Sequence, residues 1–193
     1  MGGEQKIEYR KHPVSSNTLE RKREISSGVI VFRRVENEPR FLVLYHGRSQ
    51  WTFPRGKIEK EERSFEAALR ETREETGFTR ADLRLVDYFK TYENWVFIKN
   101  NQKVYKTVIF YLAETNKKHA RIEPDFEGYG WFTYREALHI FVGPKNNENR
   151  KVLKQVHDFL SGKQPNQKPP IRRPQPQRRN NFIPRTRPPM NSN

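Results

Sequence analysis

Gly56, Glu62, Arg70, Glu71, Glu74, Glu75 and Gly77 hold a register from which chemistry can be read. Glu71, Glu74 and Glu75 stand at i, i+3 and i+4, so on a helix their carboxylates share one face. Like charges placed that way cost a few tenths of a kcal/mol per pair in an isolated helix, and a cation among them relieves the repulsion. Carboxylate oxygens are hard donors. They suit Mg²⁺, with Mn²⁺ as a substitute, and such ions usually complete their shells with water and substrate phosphates. The competing reading is a solvated helix laced with ion pairs, since Glu66 to Arg70 and Arg70 to Glu74 are both i to i+4.

A helix is expected from about Ser64 to Thr76. Phe65, Ala68, Leu69, Thr72 and Thr76 recur at intervals of three and four and make the buried stripe. Ser64 is the expected N-terminal cap, and Gly77, able to take positive φ, the stop.

The whole run from Gly56 to Phe78 resembles the Nudix box, with glycines, acids and arginine in register across one loop and one helix. Thr72 departs from it, standing where that family usually has an aliphatic residue. The resemblance implies a mixed α/β chain folded as the α/β/α sandwich of that family over roughly residues 25–163, and a magnesium-dependent pyrophosphohydrolase. Glu74 and Glu75 match the principal metal ligands, Glu71 a ligand or general base, and the Gly56 carbonyl a further ligand. Arg70 would orient the glutamates, and Glu62 would act through water. The family often adds a carboxylate from a loop before a Trp-bearing strand, and Asp125 and Glu127, ahead of Trp131, are the candidates, Glu127 being counted with the metal ligands.

Arg55 and Lys57 flank the loop glycine and suit phosphate oxygens. The segments Trp51 to Gly56, Ala68 to Gly77 and Lys106 to Glu114 together look like the asymmetric diadenosine tetraphosphate hydrolases. In those enzymes a lysine at the Lys106 position contacts phosphate and an aromatic stacks on adenine, for which Tyr92 and Trp95 are the candidates. A second reading, an RNA 5′-end pyrophosphohydrolase or mRNA-decapping-like enzyme, draws on Phe53-Pro54-Arg55-Gly56-Lys57. A third is a Nudix-fold binder without turnover, against which three retained repelling glutamates count.

The surrounding elements follow from periodicity. Gly28 to Phe32 and Phe41 to Tyr45 read as buried strands joined by a turn at Asn37-Glu38-Pro39, and Trp51 to Pro54 as a short extended piece. Residues 83–93 and 103–113 read as two longer strands around an Asn-rich loop, and Tyr129 to Phe132 as a last strand. Thr133 and Glu136 have capping-box spacing, and Val152, Leu153, Val156, Phe159 and Leu160 define a final helix ending near Gly162.

Composition bounds the rest. The chain has 193 residues, 33% hydrophobic and 32% charged, with a net charge of +15, and it has no cysteine, which removes disulfides, thiolate catalysis and cysteine zinc sites. Its five histidines (His12, His46, His119, His139, His157) show no metal-binding spacing. Residues 164–193 hold eight of thirteen prolines, seven Lys or Arg and no acid, a composition expected to stay disordered and to serve either as a solubilising appendage or as an arm for RNA phosphates. Residues 1–24, also polar, are expected to be flexible. No apolar run approaches the ~20 residues of a membrane span, and with no secretory leader read at the start, the cytoplasm is the expected compartment.

Overall fold

Two Asn-containing turns set the register of the sheet. A computed structural model describes residues 20–163, in which β1 (Glu20–Val35) and β2 (Glu38–Tyr45) form a hairpin. Its turn residues Glu36 and Asn37 take φ of 50° and 66°, the positive values that a two-residue type I′ hairpin demands. The same device recurs at Asn100 and Asn101, with φ of 48° and 57°, between β6 (Thr91–Lys99) and β7 (Gln102–Glu114). This corrects the strand expected over residues 83–93. That stretch is broken into β5 (Arg84–Leu85), a turn and the first three residues of β6, and the long strand starts only at Thr91 because the Asn pair fixes the hairpin further along.

The short strands β3 (Trp51–Thr52) and β4 (Arg55–Lys57) and the later β8 (Gly128–Phe132) complete one mixed eight-stranded sheet. β1 is its centre: it pairs parallel with β7 and antiparallel with β2 and β4. The parallel pairing reaches Glu20 opposite Gln102, so the flexible segment expected over residues 1–24 is corrected at its end, where residues 20–24 are strand. Residues 1–19 and the expected tail at 164–193 lie outside the described residues.

Side chains alternate across β1 and feed two cores. Ile30 and Phe32 join Phe41, Phe53, Phe110 and Phe141 beneath α2 (Tyr134–Ile140) and α3 (Asn147–Leu160). Val29 and Val31 join Leu42, Leu44 and Ala68 beneath α1 (Ser64–Thr76) on the other face. The result is the expected three-layer α/β/α arrangement. Thr133 caps α2, accepting from the Glu136 N–H at 3.3 Å, while Glu136 accepts from the Thr133 N–H at 2.8 Å. Among the described residues no helix is long and apolar enough to cross a membrane.

α1 spans the expected residues, but Arg63 occupies the N-cap. Ser64 lies one place inside, and its hydroxyl shares a 2.9 Å hydrogen bond with the Tyr111 hydroxyl on β7. Gly77, at φ 73°, ends the helix with its N–H donating to the Arg73 carbonyl at 2.8 Å. Thr72 is fully buried in α1 and its hydroxyl has no hydrogen-bond partner. Replacing it with the isosteric Val removes an unsatisfied buried polar group. Thr72→Val is expected to raise unfolding stability by about 1 kcal/mol in urea titrations, and a loss of stability would show that the hydroxyl is bonded.

Candidate active site

The register of β4 against β1 brings α1 to the loop. Gly28 faces Arg55 and Ser27 faces Gly56. A Cβ on Gly28 would sit 2.0 Å from the Pro54 carbonyl oxygen, and one on Gly56 would sit 1.8 Å from Glu71 Oε2. Two missing side chains therefore let the loop lie against β1 and the Glu71 carboxylate lie against the loop.

Arg70 fastens this contact. Its Nε and Nη2 donate to the two oxygens of Glu62 at 2.9 and 3.0 Å, a bidentate pair. Nη1 donates to Glu71 at 2.9 Å and to Glu74 at 3.0 Å, and Nη2 also reaches the Lys57 carbonyl at 3.0 Å. The guanidinium is the cation among the glutamates, and Glu62 is drawn to it directly. Arg70 holds the Glu62 carboxyl below the usual range. Burial pushes Glu71 upward against the pull of Arg70.

Glu75 stands apart from that cluster. Its Oε2 accepts from the Arg55 backbone N–H at 2.8 Å. Burial pushes its carboxyl up to about 8, opposed by that hydrogen bond and aided by the charges of Glu71 and Glu123. Among the described residues no three acidic or histidine side chains converge into a closed metal shell. Glu71 and Glu75 are nevertheless part-buried carboxylates that a cation would satisfy, beside a loop glycine whose Cβ position the Glu71 carboxylate fills. The donor set fits a hard divalent ion.

The loop acid differs from expectation. Glu127 is exposed, with its carboxylate against Gly47, where a Cβ would approach Oε1 to 2.1 Å. Asp125 is felt by His46 instead. Glu123, further back in the same loop and half-buried, is the loop acid whose charge reaches Glu75. Its distance in sequence from Trp131 hides it, since Asp125 and Glu127 both stand nearer that residue.

Arg55 turns its side chain to the other face of the sheet, toward a cleft of about 640 Å³ lined also by Trp51, Trp95, Phe97, Asn146 and Asn149. Lys106 is the register partner of Trp95, so the two side chains share that face. Burial lowers the Lys106 pKa, and the charge of Arg55 lowers it further. Arg55 and Lys106 are thus brought together. Lys57 is not: its side chain is exposed, and only its carbonyl is used. Tyr92 also departs from expectation, because strand alternation puts it on the face opposite Trp95, where it is 48% exposed.

Residues 22–156 match the NUDIX domain. The chain belongs to the Nudix family of pyrophosphohydrolases. The asymmetrical bis(5′-nucleosyl)-tetraphosphatase of Mus musculus is 34% identical over 143 residues, covering 69% of this chain and 92% of the mouse protein. An RNA pyrophosphohydrolase of Nitratiruptor sp. is 30% identical over 115 residues, covering 53% of this chain and 71% of that protein. The crystal structure of a C. elegans Ap4A hydrolase binary complex superposes with a TM-score of 0.61 at 23% identity, over 72% of this chain and 98% of that one, which establishes the fold. This Nudix chain carries a residue that the motif does not announce.

Glu93, on β6, is fully buried, and neither carboxylate oxygen meets hydrogen-bond geometry. Arg55 Nε is 3.9 Å from its Oε2 and is itself without a hydrogen-bond partner. Burial raises the Glu93 pKa, with Arg55 and the Trp95 side chain pulling the other way. The folded chain therefore holds the Glu93 proton more tightly than the unfolded chain, and ionisation costs stability as pH climbs above about 4.3. Glu93→Gln removes that cost. The melting temperature of the variant relative to wild type is expected to rise between about pH 4 and pH 7.5, whereas a constant difference across that range would contradict the assignment.

Proposed function

We propose that this Nudix chain hydrolyses dinucleoside polyphosphates, with diadenosine tetraphosphate as the representative substrate, by attack of water on phosphorus. The observation that carries the reading is the arrangement around Arg55. Its backbone N–H holds Glu75, its side chain lines the cleft, and Trp95 and Lys106 stand side by side on that same face. A nucleoside stacked on Trp95 then has a cation beside it for the phosphate chain, which runs past Arg55 to the glutamates. Asn149, buried at the cleft wall, donates from Nδ2 to the Trp51 carbonyl at 3.1 Å and to Asn146 Oδ1 at 3.0 Å and so fixes that wall. The similarity to the mouse tetraphosphatase over nearly its whole length supports the same substrate class.

In this reading Glu74, Glu75 and the Gly56 carbonyl would hold Mg²⁺ or Mn²⁺. A bound ion would neutralise charge on the phosphate oxygens and polarise the attacking water. Glu71, whose partial burial makes it a stronger base than an exposed carboxylate, takes the proton from the attacking water as its oxygen bonds to phosphorus and the bridging oxygen leaves with the departing nucleotide. Arg70 keeps Glu71 and Glu74 in place, and Glu62 keeps Arg70 in place.

A second reading, hydrolysis at RNA 5′ ends, is favoured by the similarity to the Nitratiruptor enzyme. A panel of diadenosine tetraphosphate, capped RNA and triphosphorylated RNA compared by kcat/KM separates the two. The dinucleotide is expected to be the best substrate, and a preference for either RNA would replace the first reading with the second.

Glu75→Gln is expected to lower kcat/KM at least about a hundredfold, or roughly 2.7 kcal/mol of transition-state stabilisation. Phosphate release at the wild-type rate would refute the assigned site. Trp95→Ala should raise KM about tenfold, in line with ~1–3 kcal/mol for a stacked base, while Trp95→Phe recovers most of it. Equal KM values for wild type and Trp95→Ala would place the base elsewhere.

A further inference from the structure

Among the described residues, half of one sheet face lies open. Alternation places Arg21, Arg23 and Ile25 of β1 and Lys103, Tyr105 and Thr107 of β7 on the same face as Val29, Val31 and Tyr111, against which α1 packs. α1 begins at Ser64, bonded to Tyr111, so the strand halves beyond Tyr111 extend past the helix. Apolar side chains are bare there: Ile25 is 48% exposed, Val96 59% and Ile98 67%. A depression of about 440 Å³ runs among Arg21, Arg23, Glu24, Ile25, Tyr105 and Thr107, and the Glu24 carboxylate pairs with Lys22.

The charge on this strip is one-sided. Arg21, Arg23 and Lys103 point to it, and Lys103 Nζ lies 5.5 Å from the centre of the Tyr105 ring. The acids of the outer half of β1 alternate to the opposite face, where Glu24 pairs with Lys22 at 3.2 Å and Glu20 accepts from Gln102 at 2.6 Å. On the strip side, among the described residues of β6 and the outer halves of β1 and β7, there is no Asp or Glu.

The strip also begins at the site. Ser27, the register partner of Gly56, is two residues from Ile25, and the Ile58 N–H donates to the Ile25 carbonyl at 3.2 Å. Successive same-face positions from Ser27 to Ile25, Arg23 and Arg21 then step away from the loop at about 6.6 Å each.

We infer that this strip is a docking surface for single-stranded RNA, which lies along β1 and β7 with its 5′ end toward the Gly56 loop. Open sheet faces that combine aromatic rings with cations suit single strands, because bases stack on rings while Arg and Lys meet the backbone. Tyr105 and Tyr92 supply the rings, and Arg21, Arg23 and Lys103 the cations. A second copy of the chain is the less favoured occupant, since the paired faces would oppose like charges with no acid between them. The inference goes beyond the dinucleotide reading and does not depend on it, because binding is measured apart from turnover.

The test uses the full chain and a short single-stranded RNA with a 5′-hydroxyl, which offers no anhydride to hydrolyse. Arg21→Ala/Arg23→Ala is expected to weaken binding at least about tenfold at physiological salt, and to lower the slope of log K against log salt by about 1.4, or ~0.7 per lost phosphate contact. Turnover of diadenosine tetraphosphate and the melting temperature should stay at wild-type values. With a 5-iodouridine version of the RNA, photocrosslinks on the wild-type chain should map to Tyr105 or Tyr92. Unchanged affinity and slope would overturn the inference. So would crosslinks confined to residues 164–193, which would place RNA on that segment alone, or a wild-type dimer that the double substitution converts to monomer with RNA affinity unchanged.

Discussion

Arg70 is the constraint on which the site depends. Its guanidinium makes five hydrogen bonds, to Glu62, Glu71, Glu74 and the Lys57 carbonyl, and so joins the loop after β4 to the second turn of α1. Without it, three carboxylates around a loop would repel one another and the loop would lose its tie to the helix. Glu75, out of its reach, shows the other side of the same physics. Part-buried, and accepting from the Arg55 backbone N–H, it is pushed up to about 8 by burial, where a cation alongside would favour its charged form.

β1 makes this geometry reach further than the helix. One of its faces supports α1 and the glutamates, while the other faces Arg55, Glu93, Lys106 and Trp95. Arg55 links the two faces, with its backbone on Glu75 and its side chain beside Glu93 and the cleft. Gly28 and Gly56 permit that link, because a Cβ at either would collide with its neighbour. A small loop can thus be read from both sides of a sheet.

Much of this was legible because it is local. α1 occupies its expected residues, since three- and four-residue spacing and a terminal glycine act within a dozen positions, and the Arg70 pairing follows from i to i+4 geometry. What failed depended on phase or on distant contacts. Tyr92 and Trp95 differ by three positions and so lie on opposite faces once β6 is known to run from Thr91, which the Asn100-Asn101 hairpin decides. Ser64 bonds Tyr111, a partner 47 residues away, and Glu123 rather than Glu127 approaches Glu75 through the path of a long loop. Residues 20–24 look polar and free in isolation, yet β7 pairs with all of them. Glu93, a charged residue in an alternating strand, gives no sign in sequence that its side chain faces inward.

The central claim is that the glutamate cluster beside Gly56 grips a hard divalent ion. Paramagnetic broadening tests it most directly: Mn²⁺ is added in small increments to the isotope-labelled full chain, and backbone amide signals are followed. Broadening that begins at Gly56 and at positions 71–75, and is reversed by excess Mg²⁺, is the predicted result. Sharp signals there while broadening starts elsewhere on the chain would contradict the account.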